Sequence, residues 1–499
     1  MPLSGSHKQL RLSTLLGGWA LIPADQDCDV LGLAIDSRLV RPGDLFLACQ
    51  GQQTCGHRFI DDAIRAGAVA VAYDPNGDRP AAQGRPLIDV DNLGQRLGEI
   101  AERFFGYPSR DLFVIGVTGT NGKTSCTQFL AQALNTADAP CGVLGTLGNG
   151  LYGHLHATHN TTPDPILLHG TLAEMRSVGA RTVAMEVSSH GLEQGRVNGV
   201  DFDVAVFTNL TRDHLDYHGD MEAYGAAKQR LFAWPSLRYA VINRDDPFSE
   251  NLLKGLMPSV VTVVYGLTER CDPEHAAVWG ELERMDRQGF EMRITTPWGN
   301  GILRSRLLGR FNASNLLAVL SVLLVMKMPL DEALEKLSKA TTVPGRVESF
   351  GGMGNYPLVV VDYAHTPDAL RSVLQALRDH CSGQLWCVFG CGGNRDQGKR
   401  PLMGAIAEEL ADYVIVTDDN PRHELAETII ADIVRGMHQA PAQILPDRAA
   451  AITYAITHAQ ASDVVLIAGK GHEDYQQVGD TRLVFSDRAQ VQVLIKEVT

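Results

Sequence analysis

Apolar positions in this chain of 499 residues gather in short unbroken runs, and these alternate with stretches where apolar residues recur at helical spacing. Unbroken runs fit buried strands, and the helical recurrence fits helices with one face on a core. The run 112–117, followed by Phe129, Leu130, Ala133 and Leu134 on one helical face, predicts a strand and a helix flanking the turn Gly119-Thr-Asn-Gly122-Lys123-Thr124. Further strands are predicted at 141–144, 182–185, 204–208 and 239–243, with helices at 164–178 and 221–232. Such alternation predicts a mostly parallel sheet with helices on both faces, where ligands collect beyond the carboxyl ends of the strands.

Strand patterns at 43–48 and 69–73 and a helix pattern at 60–66 precede Arg103-Phe-Phe-Gly-Tyr-Pro-Ser109, whose last four residues are linker chemistry. A second boundary falls at Thr341-Thr-Val-Pro-Gly345, after which strand patterns at 358–362, 385–389, 413–417 and 464–468 alternate with helices. The expected fold is therefore α/β with three domains, 1–108, 109–340 and 341–499. The central one has a P-loop-type, mostly parallel sheet; the N-terminal one is a smaller α/β unit and the C-terminal one is Rossmann-like.

A net charge of −14 without a basic block disfavours binding to nucleic acid or an anionic membrane. Nine cysteines form no CxxC pair, and neither a secretory signal nor a bilayer-length apolar run is present, so a reduced, cytoplasmic protein is expected. Cys381, Cys387 and Cys391 read as small core residues.

Chemistry enters at the ends of the predicted strands. In the 119–124 turn, glycines let the backbone approach phosphate oxygens, Lys123 supplies a point charge and Thr124 can hold Mg²⁺. Val117 stands where a strict GxxxxGK[ST] motif has its first glycine, so the loop is a variant. Glu186, before Val-Ser-Ser-His190, and His214, within Asn-Leu-Thr-Arg-Asp-His-Leu-Asp-Tyr-His218, are hard or borderline ligands at the same sheet edge. Ser188 also suits a helix cap, and Asp213 and Asp216 a solvated turn. His154, His156 and His159 have superficial metal spacing, but their Gly-rich surroundings favour a mobile loop. In the last domain, Asp362, the glycines 390, 392 and 393 beside Arg395, the 417–422 segment and the 468–474 segment all begin at strand ends. There Gly390, Gly392 and Gly393 suggest a second anion loop, and Asp362 can accept from ribose hydroxyls.

Gly-Thr-Asn-Gly-Lys-Thr, Glu-Val-Ser-Ser-His, Thr-Asn-Leu-x-x-Asp-His-Leu-Asp-Tyr-His, Gly-x-Phe-Asn-x-x-Asn, Gly-Arg-x-Glu and Asp-Tyr-Ala-His-Thr-Pro stand here in order across nearly the whole chain, which resembles the Mur ligase family. The resemblance implies an ATP- and Mg²⁺-dependent amide ligase of peptidoglycan synthesis, working through an acyl phosphate. Asp419-Asn-Pro-Arg422 resembles the signature of members that add meso-diaminopimelate to UDP-MurNAc-L-Ala-D-Glu. It also implies roles for particular positions. Gly119, Thr120, Asn121, Gly122, Lys123, Thr124, Asn312, Asn315, Arg346 and Asp362 match those meeting ATP. Thr124, Glu186, His214 and Lys228, the last as a CO₂-derived carbamate, match metal ligands, and Lys123, Glu186, His214 and Lys228 the catalytic set. Ile35, Ser37, Gln52, Gln53, Thr54, Asn160, Thr161, Thr162, Ser188, Gln194 and Arg196 match the UDP-MurNAc-peptide groove of domains one and two. Arg395, Asp419, Asn420, Pro421, Arg422, Gly469 and Glu473 match the diaminopimelate pocket. Arg422 would grip the distal carboxylate and Glu473 the distal ammonium, a pairing that rejects L-lysine by roughly 10⁴. A monomer is expected. The rivals are an L-lysine-adding ligase, a folylpolyglutamate synthetase and, from another class, a nucleotide-switched binding protein.

Overall fold

A computed structural model describes residues 9–50, 55–75, 84–158, 160–268, 274–352 and 354–495 of the chain. They fall into two compact units, 1–265 with 274–276, and 266–273 with 277–499.

The first unit opens with four parallel strands in spatial order Gly32–Ala34, Asp44–Ala48, Ala70–Tyr73 and Leu87–Asp89. Every residue of Asp44–Ala48 is buried because both faces are covered. Leu45 and Leu47 join Leu12, Val30, Ile100 and Phe104, while Phe46 and Ala48 join Ile60 and Ala63. Six further parallel strands follow in the order Cys141–Gly145, Thr182–Glu186, Phe113–Thr118, Val204–Phe207, Tyr239–Asn243 and Val261–Gly266. Val114, Val183, Met185 and Phe207 point to one face, where they pack with Leu168, Leu172 and Met175 of helix Pro165–Ser177. That helix starts where the sequence says it should. Asp164 accepts from the N–H groups of Ile166 and Leu167 at 3.0 Å each, a cap worth about 1 kcal/mol, and Pro165 occupies the first turn without losing a bond.

In the second unit an antiparallel meander, Ala276–Asp286, Gly289–Thr296 and Gly299–Ser305, precedes the buried helix Arg310–Val325. A six-stranded sheet follows in the order Glu348–Gly351, Leu358–Asp362, Val464–Ala468, Leu385–Phe389, Tyr413–Val416 and Gln443–Ile444, parallel except for the first strand. Val360, Cys387 and Leu466 face one core, and Val359, Val361, Val388, Val465 and Ile467 the other.

The predicted parallel strands lie within a residue or two of the observed ones, and Ile60–Ala66 is a helix as expected. Three features differ. The 221–232 helix ends at Gln229 and tightens into a 3₁₀ turn, Arg230–Ala233. The meander was not foreseen. The loop expected around His154 and His156 is a strand, His154–His156, paired antiparallel with Gly148–Leu151. Its glycines are required by close approach, since a Cβ on Gly148 would lie 2.6 Å from the His156 carbonyl and one on Gly150 2.5 Å from that of His154. His159 lies outside the described residues. Cys387 and Cys391 are buried and Cys381 partly so.

Candidate active site

The 119–124 turn leaves the central strand Phe113–Thr118, between Thr182–Glu186 and Val204–Phe207. Gly119 has φ +151° and Gly122 φ +85°, and a Cβ on Gly119 would fall 1.9 Å from Thr208 Oγ1. Only glycine fits there. The neighbouring strand end holds the loop: Asn209 Oδ1 accepts from the Asn121 N–H at 2.9 Å, Thr208 Oγ1 donates to the Asn121 carbonyl at 2.6 Å, and the Thr120 N–H donates to the Asn209 carbonyl at 2.9 Å. Lys123 begins the helix Lys123–Leu134, and its Nζ donates to the Gly119 and Thr120 carbonyls at 2.8 Å each.

Glu186 ends its strand almost fully buried. Thr124 Oγ1 donates to its Oε2 at 2.9 Å and the Thr146 N–H to its Oε1 at 2.8 Å. Gly145 makes room for this carboxylate, since a Cβ there would sit 2.3 Å from Oε1. Lys228, 1% exposed on helix Met221–Gln229, donates from Nζ to the Gly119 carbonyl at 2.9 Å and lies 4.4 Å from the Tyr224 ring centre. Burial pushes its amine well below the usual lysine range and the Lys123 charge pushes the same way, against Asp213. Tyr224 ties this corner to the loop through a 3.1 Å contact between its hydroxyl and Thr120 Oγ1.

His214, exposed and at φ +53°, stands beside Asp213 at 3.5 Å. Its ring lies 4.9 Å from that of His190 and 6.1 Å from that of Tyr224. It belongs to a ring cluster with His190, Tyr217 and His218. Ser188 does cap a helix, accepting from the Gly191 N–H at 3.1 Å, and Thr162 Oγ1 lies 3.1 Å from the same hydroxyl. Arg196 donates to the Thr162 carbonyl at 2.8 Å and to Gln194 Oε1 at 2.6 and 2.9 Å, while Gln194 donates to the Tyr217 hydroxyl at 3.1 Å. Thr161 Oγ1 contacts Thr146 Oγ1 at 3.1 Å, and Asn160 turns on Thr158. Ser188, Thr161, Thr162, Gln194 and Arg196 thus form one network reaching Glu186. Ile35 and Ser37 flank Asp36 at a turn after the first parallel strand, and Gln52, Gln53 and Thr54 lie outside the described residues.

In the second unit, Asn312 and Asn315 sit one turn apart near the start of Arg310–Val325, both buried. Asn312 donates to the Leu308 carbonyl at 2.9 Å. Asp362 accepts from the Val347 and Ala364 N–H groups at 2.8 Å each; burial raises its carboxyl above the usual range, with Arg346 opposing. Arg346 lies 5.0 Å from the Tyr363 ring, its buried Nε without a hydrogen-bond partner among the described residues.

The segments 419–422 and 469–477 form a second frame. Asn420 Nδ2 donates to Glu473 Oε2 at 2.9 Å, and its Oδ1 accepts from the Gln477 N–H at 2.9 Å. Arg422, at φ +53°, donates from its backbone to the Gln477 carbonyl at 3.0 Å and from Nη1 to the Gly393 carbonyl at 2.8 Å. A Cβ on Gly393 would meet the Pro421 carbonyl at 1.9 Å, which explains the glycine run. Asp419 is buried beneath Gly469, whose Cβ would lie 2.6 Å from Asp419 Oδ2. Burial raises its carboxyl, with Arg448 and Lys470 opposing. Arg395 is exposed. The sequence reading omitted Thr146, Thr208, Asn209, Tyr224 and Lys470. Thr146 and Tyr224 are common residue types that declare themselves only by contact, whereas Thr208 and Asn209 opened a quoted motif without being assigned a role, and Lys470 between two glycines at a strand end was a usable signal.

The chain matches the Mur ligase middle domain over residues 117–323, the Mur ligase glutamate ligase domain over 345–471 and the Mur ligase family catalytic domain over 29–105. It is 53% identical to the UDP-N-acetylmuramoyl-L-alanyl-D-glutamate–2,6-diaminopimelate ligase of Pseudomonas aeruginosa, over 94% of this chain and 96% of that one. To the protein of the same name from Coxiella burnetii it is 50% identical, over 92% and 94%. A solved structure of a ligase with this name, 38% identical, matches with a TM-score of 0.72 over 94% of this chain and 95% of that one. The MurF ligase from Thermotoga maritima in complex with ADP shares the fold at 20% identity, with a TM-score of 0.60 over 88% and 94%. The chain belongs to the Mur ligase family and carries its three-domain α/β fold.

Proposed function

We propose that this chain is an ATP-dependent, ADP-forming ligase that adds meso-2,6-diaminopimelate to UDP-MurNAc-L-Ala-D-Glu in peptidoglycan synthesis. The observation that carries this is 53% identity across 94% of the chain to a ligase named for that reaction. In this reading residues 1–108 take the UDP-MurNAc end of the acceptor, 109–340 the triphosphate and 341–499 the incoming amino acid. The enzyme works as a cytoplasmic monomer; among the described residues no helix is long and apolar enough to cross a membrane.

A carboxylate and an amine do not condense unaided, because the leaving oxygen is poor. The acceptor D-glutamate carboxylate attacks the γ-phosphorus, ADP departs, and the acyl phosphate forms. The amine then attacks that carbonyl, phosphate leaves, and the nitrogen loses its proton. Both steps concentrate negative charge, which Lys123 and the N–H groups of the 119–124 turn other than those of Thr120 and Asn121 would stabilise. The part-buried hydroxyl of Thr124 and the buried carboxylate of Glu186 suit Mg²⁺, with His214 and Lys228 as its carbamate completing the set, and the bound ion would neutralise phosphate charge. Asn312, Asn315, Arg346 and Asp362 take the nucleoside end of ATP. Arg422 pairs with the distal carboxylate of diaminopimelate and Glu473 with its distal ammonium, beside Arg395, Asp419, Asn420, Pro421 and Gly469.

The test is ADP release with substrates omitted singly. Release that needs the UDP-dipeptide, together with a product longer by one diaminopimelate, supports the ligase. Release from ATP alone, with no lengthened product, indicates a nucleotide switch. Equal incorporation from diaminopimelate and L-lysine offered together removes the role of Arg422 in selection.

A further inference from the structure

Lys470 is completely buried, which is rare for a lysine and costly without partners. It stands between Gly469 and Gly471 just past strand Val464–Ala468. Its Nζ donates to Glu473 Oε2 at 3.0 Å and to Asn420 Oδ1 at 3.1 Å, and lies 5.3 Å from the Tyr475 ring centre. Asn420 Nδ2 donates to that same Oε2 at 2.9 Å. Two donors, one from each strand-end loop, therefore converge on a single oxygen of Glu473. A carboxylate held through one oxygen has a fixed plane, and its other oxygen, Oε1, then has a fixed direction.

We propose that Lys470 is a positioning residue for amino-acid selection. By clamping Glu473 Oε2 it aims Oε1 at the distal ammonium of the incoming diamino acid. The inference rests on the proposed diaminopimelate ligation and on Glu473 meeting the distal nitrogen. No catalytic step passes through Lys470. Its loss acts on the recognition of one functional group, and the energy released by fixing a charged acceptor appears as discrimination rather than turnover. Gly469 and Gly471, at φ +119° and +53°, give the backbone the turn that folds the side chain inward.

The experiment compares meso-diaminopimelate with 2-aminopimelate, which keeps the distal carboxylate and lacks the distal amine. Wild type is expected to prefer the diamino acid by roughly a hundredfold in kcat/KM. In Lys470→Met that preference falls about tenfold or more, through a raised KM for diaminopimelate. The KM for 2-aminopimelate and for ATP, and kcat, stay within about threefold, because the rest of the pocket does not depend on the ammonium contact. Lys470→Arg, which keeps the charge on a longer fork, restores part of the preference and carries the same test if the methionine variant does not fold. A preference unchanged in both variants, or an equal loss for both amino acids, overturns the proposal. Failure of the wild-type enzyme to incorporate diaminopimelate overturns instead the functional assignment on which it rests.

Discussion

The phosphate turn and the amino-acid frame are built in opposite ways. The first is backbone: glycines at positive φ, strand-end amides and carbonyls, and one short stretch of sequence, with side chains from the adjacent strand bracing it. The second is side chains: Lys470, Asn420, Glu473 and Arg422 come from loops about fifty residues apart and are held by charge-assisted bonds. In the proposed function the backbone cradle would recognise phosphate, which every nucleoside triphosphate shares, and so would need no adjustable parts. In the proposed function the frame of charged side chains would recognise one amino acid among similar ones, and its selectivity would be a difference between partners satisfied and partners stranded.

The largest effects should fall on the cradle. Lys123→Ala is expected to lower kcat for ADP release by roughly a thousandfold or more, since charge on the transferring group goes uncompensated. Gly119→Ala should cost turnover too, because its methyl would meet Thr208 Oγ1 at 1.9 Å. Neither change should alter the ratio of diaminopimelate to 2-aminopimelate use. A shift in that ratio would show that the two regions do not divide the work as described.

The frame should give the next largest effect, confined to one substrate. Arg422→Lys replaces a planar fork by a point charge and loses the bond to the Gly393 carbonyl. It should raise the KM for diaminopimelate by roughly thirtyfold to a hundredfold and leave the KM for ATP unchanged, measured under saturating co-substrates. Equal losses in both would merge the two regions into one.

The same contrast explains what was legible in the sequence. Buried parallel strands are continuous apolar runs, and a backbone cradle needs glycines in one contiguous motif, so both show in a single pass along the chain. The meander hid because a bulge between Leu282 and Arg284 breaks the two-residue alternation of its first strand. The His154–His156 hairpin hid because its glycines, which mean close packing there, read as looseness. Asn420 and Arg422 stood out in a motif, and Lys470 and Glu473 lay together in the 468–474 segment, but the link from Asn420 to both crosses about fifty residues and had no local signature. Family resemblance supplied the proposed role of Lys228; burial and the Lys123 charge both push its amine below the usual lysine range.

The smallest expected effect is on stability, and it separates two buried histidines. In the first unit His169 is fully buried, its Nε2 2.9 Å from the Asn198 carbonyl and its Nδ1 without a hydrogen-bond partner among the described residues. In the second unit His380 has both nitrogens engaged, Nδ1 donating to the Asp286 carbonyl at 2.6 Å and Nε2 accepting from the Gly309 N–H at 2.8 Å. Burial lowers both rings below the usual histidine value, that of His169 to about 4 from 6.5. The folded chain therefore keeps His169 neutral while the unfolded chain takes up a proton. Its contribution is fully present above pH 6.5 and is lost as pH falls toward about 4. The loss amounts to about 2 kcal/mol by about pH 5. His169→Phe should flatten this part of the acid unfolding curve, measured as denaturant midpoints across that window, at little cost near neutrality. His380→Phe should instead destabilise at every pH, because it strands the buried Gly309 N–H. Parallel curves for wild type and His169→Phe would mean that this ring does not set the acid sensitivity of the first unit.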